Sequence, residues 1–235
     1  MMTPIRSYEQ GKEGFCFEKA MAGNMLNRME ILRYLGCRES NAEIDSLIDR
    51  AEAIVADAAR PASVFCKVPL SISEEAVEIS GTVIGSKTLA SHLKGCDEGF
   101  LFAFTLGRGV DAAVKRASIT EMPLVPVLQA CAAEYTEACA DSAQKELEEY
   151  ADSHGLYLRP RYSPGYGDFD LSCQRFLFDA LAVNKKIGIE LTSHYMMVPS
   201  KSITAIIGLS KDPSLCHIGK CMACSAKNCP FRKED

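Results

Sequence analysis

Apolar residues recur at intervals of three and four positions between Asn24 and Arg60. This spacing predicts two amphipathic helices. Gly36 follows the first helix and is a suitable C-cap, because glycine readily adopts the left-handed conformation found there. Asn41 is placed to begin the second helix and Pro61 to stop it, so both helices have approximate bounds.

Shorter apolar segments rich in β-branched residues come next along the chain, separated by Gly and Pro. They predict strands at Val64–Leu70, Ala76–Ile79, Gly81–Gly85, Ile187–Leu191 and Ser202–Leu209. Ser86 is placed to cap a short helix that ends near Leu93. Glu98–Leu106 is a compact aromatic and aliphatic run, typical of a buried central strand, and Gly107-Arg108-Gly109 leads from it into another helix.

Two further helices are expected in the second half of the chain. The longest runs from about Val127 to Ala151 and is rich in Ala, Glu and Leu, and a second covers Asp170 to Val183. Strands and helices do not alternate strictly, and no internal repeat is visible. The pattern therefore favours a mixed α+β protein over a doubly wound parallel sheet.

The composition is that of an ordinary globular protein, since 47% of the 235 residues are apolar and 24% are charged. The net charge of −5 disfavours nucleic-acid binding, because phosphate recognition depends on clustered Lys and Arg. The longest apolar runs are too short to span a bilayer, and Met1–Gln10 lacks the apolar core of a signal peptide. We therefore expect a cytoplasmic protein that binds neither nucleic acid nor membranes.

The eleven cysteines are unusual in this composition, and their odd number excludes complete internal pairing. Seven are scattered along the chain, and we interpret them as small buried hydrophobic residues. These seven are Cys16, Cys37, Cys66, Cys96, Cys131, Cys139 and Cys173. The other four lie within fourteen residues near the C-terminus, at Cys216, Cys221, Cys224 and Cys229.

The four clustered cysteines have the spacing C-x4-C-x2-C-x4-C, which predicts a metal site. Thiolates are soft ligands, and four of them close in sequence can surround one metal centre. Structural zinc sites usually contain two C-x2-C pairs, whereas this segment has one and ends in Cys229-Pro230, as iron–sulfur ligand runs often do. We expect an iron–sulfur cluster, with structural zinc and an unmetallated tail as the alternatives. His217 is a candidate to replace one of the cysteines.

A second group of candidate binding residues lies in the segment Arg159-Pro160-Arg161-Tyr162-Ser163-Pro164-Gly165-Tyr166-Gly167-Asp168. Its prolines restrict the backbone and its glycines let it turn. Arginine can hold a carboxylate through two parallel hydrogen bonds, and a Tyr ring can lie against a flat or cationic ligand. An ordinary ordered loop is the alternative interpretation.

Several motifs follow one another from this segment onward: Arg161-x-Ser163-Pro164-Gly165-Tyr166, a helix, Lys186-Ile187-Gly188-Ile189-x-Leu191-Thr192-Ser193, then Met196, Pro199 and Ser202-Ile203-Thr204. Their order resembles the reactivation domain of cobalamin-dependent methionine synthase, over about residues 98–210. The resemblance implies an α+β fold with a mixed, mainly antiparallel sheet and surrounding helices. We expect a helical and β segment at 1–97 that packs on an activation-domain-like core at 98–212, followed by a metal-binding tail at 213–235.

The resemblance also implies a ligand and a role for individual residues. Domains of this family bind S-adenosylmethionine, whose methyl group is attacked by cob(I)alamin after one-electron reduction of inactive cob(II)alamin. Carried over by position, Arg161 would hold the ligand carboxylate, and Ser163 and Gly165 would contact the ligand through backbone groups. Tyr166 would lie between ligand and corrin. Glu137, on the long helix, is a candidate for the polar lining of the cleft, with a solvated helix face as the alternative.

The function implied is that of a stand-alone component of the methionine synthase type, which reactivates a cobalamin-dependent methyltransferase. Asp152-Ser153-His154-Gly155-Leu156-Tyr157 lacks the final glycine of the corrinoid motif D-x-H-x-x-G, so we expect cobalamin to come from a partner. That partner is a cobalamin-carrying methyltransferase or corrinoid protein, and an electron donor is a further partner unless the tail cluster relays the electron. Two alternatives are a non-catalytic corrinoid-protein adaptor with a structural zinc site and a methyltransferase acting on a small thiol.

Overall fold

The structure, a computed structural model, describes residues 26–213. The predicted metal ligands Cys216, Cys221, Cys224 and Cys229, together with Cys16 and His217, lie outside the described residues. Seven α-helices occur in the described part: α1 (Arg28–Leu35), α2 (Ala42–Ala58), α3 (Lys87–His92), α4 (Arg108–Thr120), α5 (Leu124–Ser153), α6 (Gln174–Leu181) and α7 (Val183–Ile187).

The same part of the chain contains a main sheet and one small separate sheet. The strands are β1 (Ala62–Ile72), β2 (Ala76–Ile79), β3 (Thr82–Gly85), β4 (Cys96–Thr105), β5 (Tyr157–Leu158), β6 (Glu190–Leu191), β7 (Met197–Val198) and β8 (Ser202–Ser210). The main sheet has the order β3-β2-β1-β4-β8-β5, and all its neighbouring strands are antiparallel. Strands β6 and β7 pair only with each other. The predicted α+β fold with a mainly antiparallel sheet is therefore confirmed.

Strand β4 lies in the middle of the sheet, and its side chains alternate between two cores because successive residues of a strand point to opposite faces. Phe100, Phe102 and Phe104 pack with apolar residues of α1, α2, α4 and α5. Leu101 and Ala103 pack on the other face with residues of α3, α6 and α7. The prediction of a buried central strand in this region is thus confirmed, and helices cover both faces of the sheet.

The predicted helix ends are reproduced where a local capping residue defines them. The Asn41 side chain accepts a hydrogen bond of 2.8 Å from the backbone amide of Ile44, in the first turn of α2. Ser86 Oγ accepts one of 3.1 Å from the backbone amide of Leu89 in α3. Gly36 ends α1 in the left-handed conformation, with φ of 71°. These contacts satisfy backbone groups that have no partner within the helix.

The second half of the chain differs from the prediction in two places. The helix expected over Asp170–Val183 is divided, because Ala182 adopts a left-handed conformation with φ of 53° between α6 and α7. The strand expected over Ile187–Leu191 is wrong at its start. Ile187 still belongs to α7, which ends at Gly188 with φ of 69°, and only the two residues of β6 pair with a strand.

The end of α5 explains the segment that resembles the start of a corrinoid motif. His154 is the C-cap residue of this helix, and its Nδ1 lies 2.8 Å from the carbonyl oxygen of Tyr150 one turn earlier. A histidine is favourably placed at the negative end of a helix dipole. This segment therefore forms the end of a helix. Within residues 26–213, no helix combines the length and the apolar character needed to cross a membrane.

The turn from β4 into α4 is a site of close backbone packing. A Cβ atom added to Gly109 would lie 2.2 Å from the carbonyl oxygen of Ala58 at the end of α2. Gly107 has φ of 80° and lies against Arg60. The two glycines therefore let α4 approach α2 closely, which confirms the interpretation as a tight strand–helix turn.

We predict that Gly109→Ala lowers the free energy of unfolding by about 1–3 kcal/mol, because the added methyl group displaces backbone that cannot rotate away. Urea unfolding followed by circular dichroism measures the change. Gly85→Ala is the matched control, since a Cβ there has no heavy atom within 4 Å. We expect it to change stability by less than about 0.5 kcal/mol. Equal effects of the two substitutions would contradict the packing explanation.

Candidate functional site

The candidate binding segment runs along the outer edge of β8. β5 pairs with the last residues of β8, and the amide of Arg159 then donates a 2.8 Å hydrogen bond to the carbonyl oxygen of Gly208. Tyr162 and Ile206 exchange two backbone hydrogen bonds, of 3.0 and 2.9 Å. Beyond Tyr162 no further pairing with β8 is present in the described residues, so the chain leaves the sheet edge at Ser163.

Arg161 reaches from this edge onto α5, and only 6% of its surface is exposed. Its Nη2 donates to Glu137 Oε2 at 2.9 Å and to Asp141 Oδ1 at 2.5 Å, and its Nη1 donates to Gln144 Oε1 at 3.0 Å. The structure therefore brings together Arg161 and Glu137, two residues that the sequence analysis selected separately. Asp141 and Gln144 were not selected, although their spacing of four and seven residues from Glu137 places all three on one face of α5.

The neighbouring Arg159 lies in a different environment. It is 1% exposed, and its Nη2 donates a 2.9 Å hydrogen bond to the carbonyl oxygen of Lys94. Its Cγ lies beside Gly208, near the side chains of Leu93 and Cys96, which belong to the core beneath α3 and α6. The Arg-Pro pair at Arg159-Pro160 therefore lies away from Glu137 and Asp141 on α5. Of the two arginines, Arg161 is the one that contacts these carboxylates.

The other predicted binding residues, Ser163, Gly165 and Tyr166, lie in the loop that follows Arg161. Backbone hydrogen bonds close this loop into a turn. The Gly165 amide donates to the carbonyl oxygen of Phe169 at 2.7 Å, and the Tyr166 amide donates to that of Ser163 at 3.3 Å. Gly165 has φ of 96°, a conformation that a side chain would strain. Tyr166 is 50% exposed, so half of its surface is accessible to solvent.

Asp168 ties this loop to the start of α3. Its carboxylate accepts hydrogen bonds from Ser86 Oγ at 2.5 Å, from the Lys87 amide at 2.9 Å and from the Thr88 amide at 3.1 Å. The Thr88 hydroxyl donates to the same carboxylate. The hydrogen bonds from the Ser86 and Thr88 side chains, followed by those from the two amides, hold the pKa of Asp168 far below its usual range.

Aromatic contacts of Tyr162 stabilise the start of the loop. The Tyr162 ring lies 4.7 Å from that of His92 and 6.2 Å from that of Phe169, measured between ring centroids. His92 Nε2 also lies 2.8 Å from the carbonyl oxygen of Pro160. Because both neighbours of Arg161 in the chain are held, its backbone is fixed on both sides.

The charge arrangement suits a ligand that carries opposite charges. A guanidinium offers parallel donors to a carboxylate, and the flanking carboxylates can accept hydrogen bonds from an ammonium group. Burial, with the Glu137 charge as a second cause, also raises the pKa of Tyr34 on α1, so this helix lies close to the same group. The arrangement can therefore recognise the zwitterionic end of an α-amino acid.

A family model for the activation domain of vitamin B12-dependent methionine synthase matches residues 100–234, more than half of the chain. The chain belongs to this family. The crystal structure of the MetH reactivation domain bound to AdoHcy shares its fold, with a TM-score of 0.60 and 16% sequence identity. The alignment covers 83% of this chain and 75% of that chain. No curated protein matches the sequence.

The described part of this activation-domain protein contains no candidate metal centre. No group of three or more His, Cys, Asp or Glu residues suited to hold a metal ion occurs within residues 26–213. Burial raises the pKa of the Cys131 and Cys139 thiols to about 12, so both remain protonated and unreactive at neutral pH. They are packing residues, as predicted, and so is buried Cys96, whereas Cys37, Cys66 and Cys173 are half-buried.

We predict that Asp168→Asn weakens the attachment of the loop to α3 in a pH-dependent way. A lowered pKa in the folded state stabilises the fold above the unfolded pKa, about 3.9, and this contribution is lost as pH falls below about 4. The wild type should therefore exceed the variant in stability at pH 7, and the difference should shrink at pH 3. Thermal unfolding across this range measures it.

Asp179→Asn is the control, because Asp179 is an exposed carboxylate on α6. Amide hydrogen exchange at Gly165 and Phe169 supplies a local readout, and we expect faster exchange only in the Asp168 variant. A stability difference between wild type and Asp168→Asn that is the same at pH 7 and pH 3 would contradict the role assigned to the carboxylate.

Proposed function

We propose that the chain binds S-adenosylmethionine at the edge of β8 and serves the reductive reactivation of a cobalamin-dependent methyltransferase. The observation that carries this proposal is Arg161, a buried guanidinium that is flanked by carboxylates and followed five residues later by the accessible Tyr166. Membership of the activation-domain family and the AdoHcy bound to the structurally similar MetH domain support the choice of ligand.

Each of the predicted binding residues would contact a different part of the ligand. Arg161 would bind its carboxylate, and Glu137 would contribute a negative charge to the same end of the cleft. Ser163 and Gly165 would contact the ligand through backbone groups, which the closed turn already holds in place. Tyr166 would lie between the ligand and the corrin of the partner, a position that its 50% exposure permits.

Orientation is the catalytic contribution of this chain. The methyl group on a sulfonium sulfur must face its nucleophile in line with the bond that breaks, and fixing both ends of the ligand provides this geometry. Cobalamin carried by a partner would supply the nucleophile after one-electron reduction, and S-adenosylhomocysteine would be the product that remains in the site. The partner would be a cobalamin-carrying methyltransferase or corrinoid protein in the cytoplasm.

We also propose that Cys216, Cys221, Cys224 and Cys229 bind an iron–sulfur cluster, which would supply or relay the electron that reactivation requires. The support is their spacing and the terminal Cys229-Pro230. A structural zinc site would instead favour the adaptor function, because zinc has no redox chemistry. Where the cluster cannot reach the partner, a separate electron donor would be needed.

We predict that Arg161→Lys weakens binding of S-adenosylhomocysteine at least tenfold in calorimetric titration. Lysine keeps the positive charge but cannot form two parallel hydrogen bonds with a carboxylate. Arg116→Ala, which removes an exposed arginine from α4, is the control and should bind as the wild type does. Absence of binding by the wild type, or unchanged binding by Arg161→Lys, would contradict the site.

We predict that anaerobically purified protein is brown and contains iron and acid-labile sulfide, because thiolate-bound clusters absorb visible light. Elemental and sulfide analysis of the wild type and of Cys221→Ser measures this, with Cys37→Ser as the control outside the tail. Colourless protein containing zinc in place of iron would overturn the cluster proposal and favour the adaptor.

A further inference from the structure

The last residue of α3 contacts the chain on both sides of Arg161. His92 Nε2 lies 2.8 Å from the carbonyl oxygen of Pro160, the residue before Arg161. The ring of His92 also packs beside that of Tyr162, the residue after Arg161, with 4.7 Å between their centroids. The Arg161 side chain itself points to α5 instead. One side chain of α3 therefore fixes the backbone from which Arg161 extends.

The first turn of the same helix holds the other end of this segment. Asp168 accepts hydrogen bonds of 2.5 Å from the Ser86 hydroxyl and 3.1 Å from the Thr88 amide. A Cβ atom added to Gly167 would lie 2.5 Å from Thr88 Oγ1, so the chain lies directly against the helix there. Both ends of α3 thus contact residues 160–168, which include all the predicted binding residues of the loop.

The contact between His92 and Pro160 determines which ring nitrogen carries a proton. A carbonyl oxygen can only accept a hydrogen bond, so Nε2 must be protonated and must donate. Arginine has a long side chain, and a small rotation of its backbone moves the guanidinium a larger distance. The direction of the Arg161 side chain therefore depends on a hydrogen bond that Arg161 does not itself make.

We propose that α3 holds residues 160–168 in their binding conformation and that His92 is the positioning residue for Arg161. In this arrangement His92 acts through Pro160 and Tyr162, without touching the ligand. A segment that is ordered before the ligand arrives loses less conformational freedom on binding, which raises affinity. The inference rests on the proposed function, because it assumes that the ligand binds beside Arg161.

The first test separates the hydrogen bond of His92 from its ring contact, by calorimetric titration of the full chain with S-adenosylhomocysteine. His92→Phe keeps a ring beside Tyr162 but removes the donor from the half-buried Pro160 carbonyl, and it should weaken binding about tenfold. His92→Gln should restore the affinity to within about threefold of the wild type, because its amide nitrogen can replace Nε2 as the donor.

Ser91→Gly is the matched control in the same helix. Ser91 is exposed, and glycine there lowers helix propensity without removing His92. It should bind S-adenosylhomocysteine as the wild type does. Equal losses of affinity in Ser91→Gly and His92→Phe would mean that binding follows the stability of α3 alone, and would overturn the positioning role. A folded His92→Phe variant with wild-type affinity would also overturn it.

Measurements on the free protein test the arrangement without any ligand. Nitrogen NMR of the His92 imidazole at about pH 8, where an ordinary imidazole is neutral, should show the proton on Nε2. Exchange of the Tyr162 amide, which donates to Ile206, should be faster in His92→Phe than in the wild type. A proton on Nδ1 alone, or unchanged exchange, would overturn the inference. Failure of the wild type to bind S-adenosylhomocysteine would instead overturn the proposed function.

A double variant tests whether the two ends of α3 act on one segment. Asp168→Asn and His92→Phe should each weaken binding, and their combination should weaken it by less than the product of the two separate factors. The reason is that the second substitution releases a segment that the first has already loosened. Factors that multiply would mean that the two contacts act independently, and would contradict the role assigned to α3.

Discussion

Tyr162 and Ile206 exchange two backbone hydrogen bonds, and the position of the candidate site depends on this pairing. It holds the chain against the outer edge of β8 immediately after Arg161, whose guanidinium then reaches the carboxylates of α5. Because β8 is itself paired along its length with the buried strand β4, the edge segment is anchored to the centre of the sheet. The loop that begins at Ser163 consequently starts from a fixed point.

The same loop is fixed again where it ends, so that it is preorganised between two anchors. Asp168 binds the start of α3 on the opposite side of the sheet from α5. Between the anchors, Gly165 turns the chain and Tyr166 remains accessible. A binding loop with little freedom to lose keeps more of its contact energy as affinity, which suits the proposed binding of S-adenosylmethionine.

Local signals in the sequence predicted much of the fold and only part of the site. Asn41, Ser86 and Gly36 cap helices through contacts within a few residues, so their roles were readable from the sequence. The hydrogen bond that Ser86 donates to Asp168 joins residues 82 positions apart, and no local sequence pattern indicates it. The contact of Arg161 with Asp141 spans 20 positions and depends on how the edge segment meets α5. The motif resemblance selected Arg161, but only tertiary packing separated it from Arg159.

The most direct test of the central claim is a crystal structure of the protein with S-adenosylhomocysteine. The account predicts the ligand carboxylate within hydrogen-bond distance of the Arg161 guanidinium, with Tyr166 beside the ligand. A ligand bound elsewhere on the protein, without contact to Arg161, would contradict it.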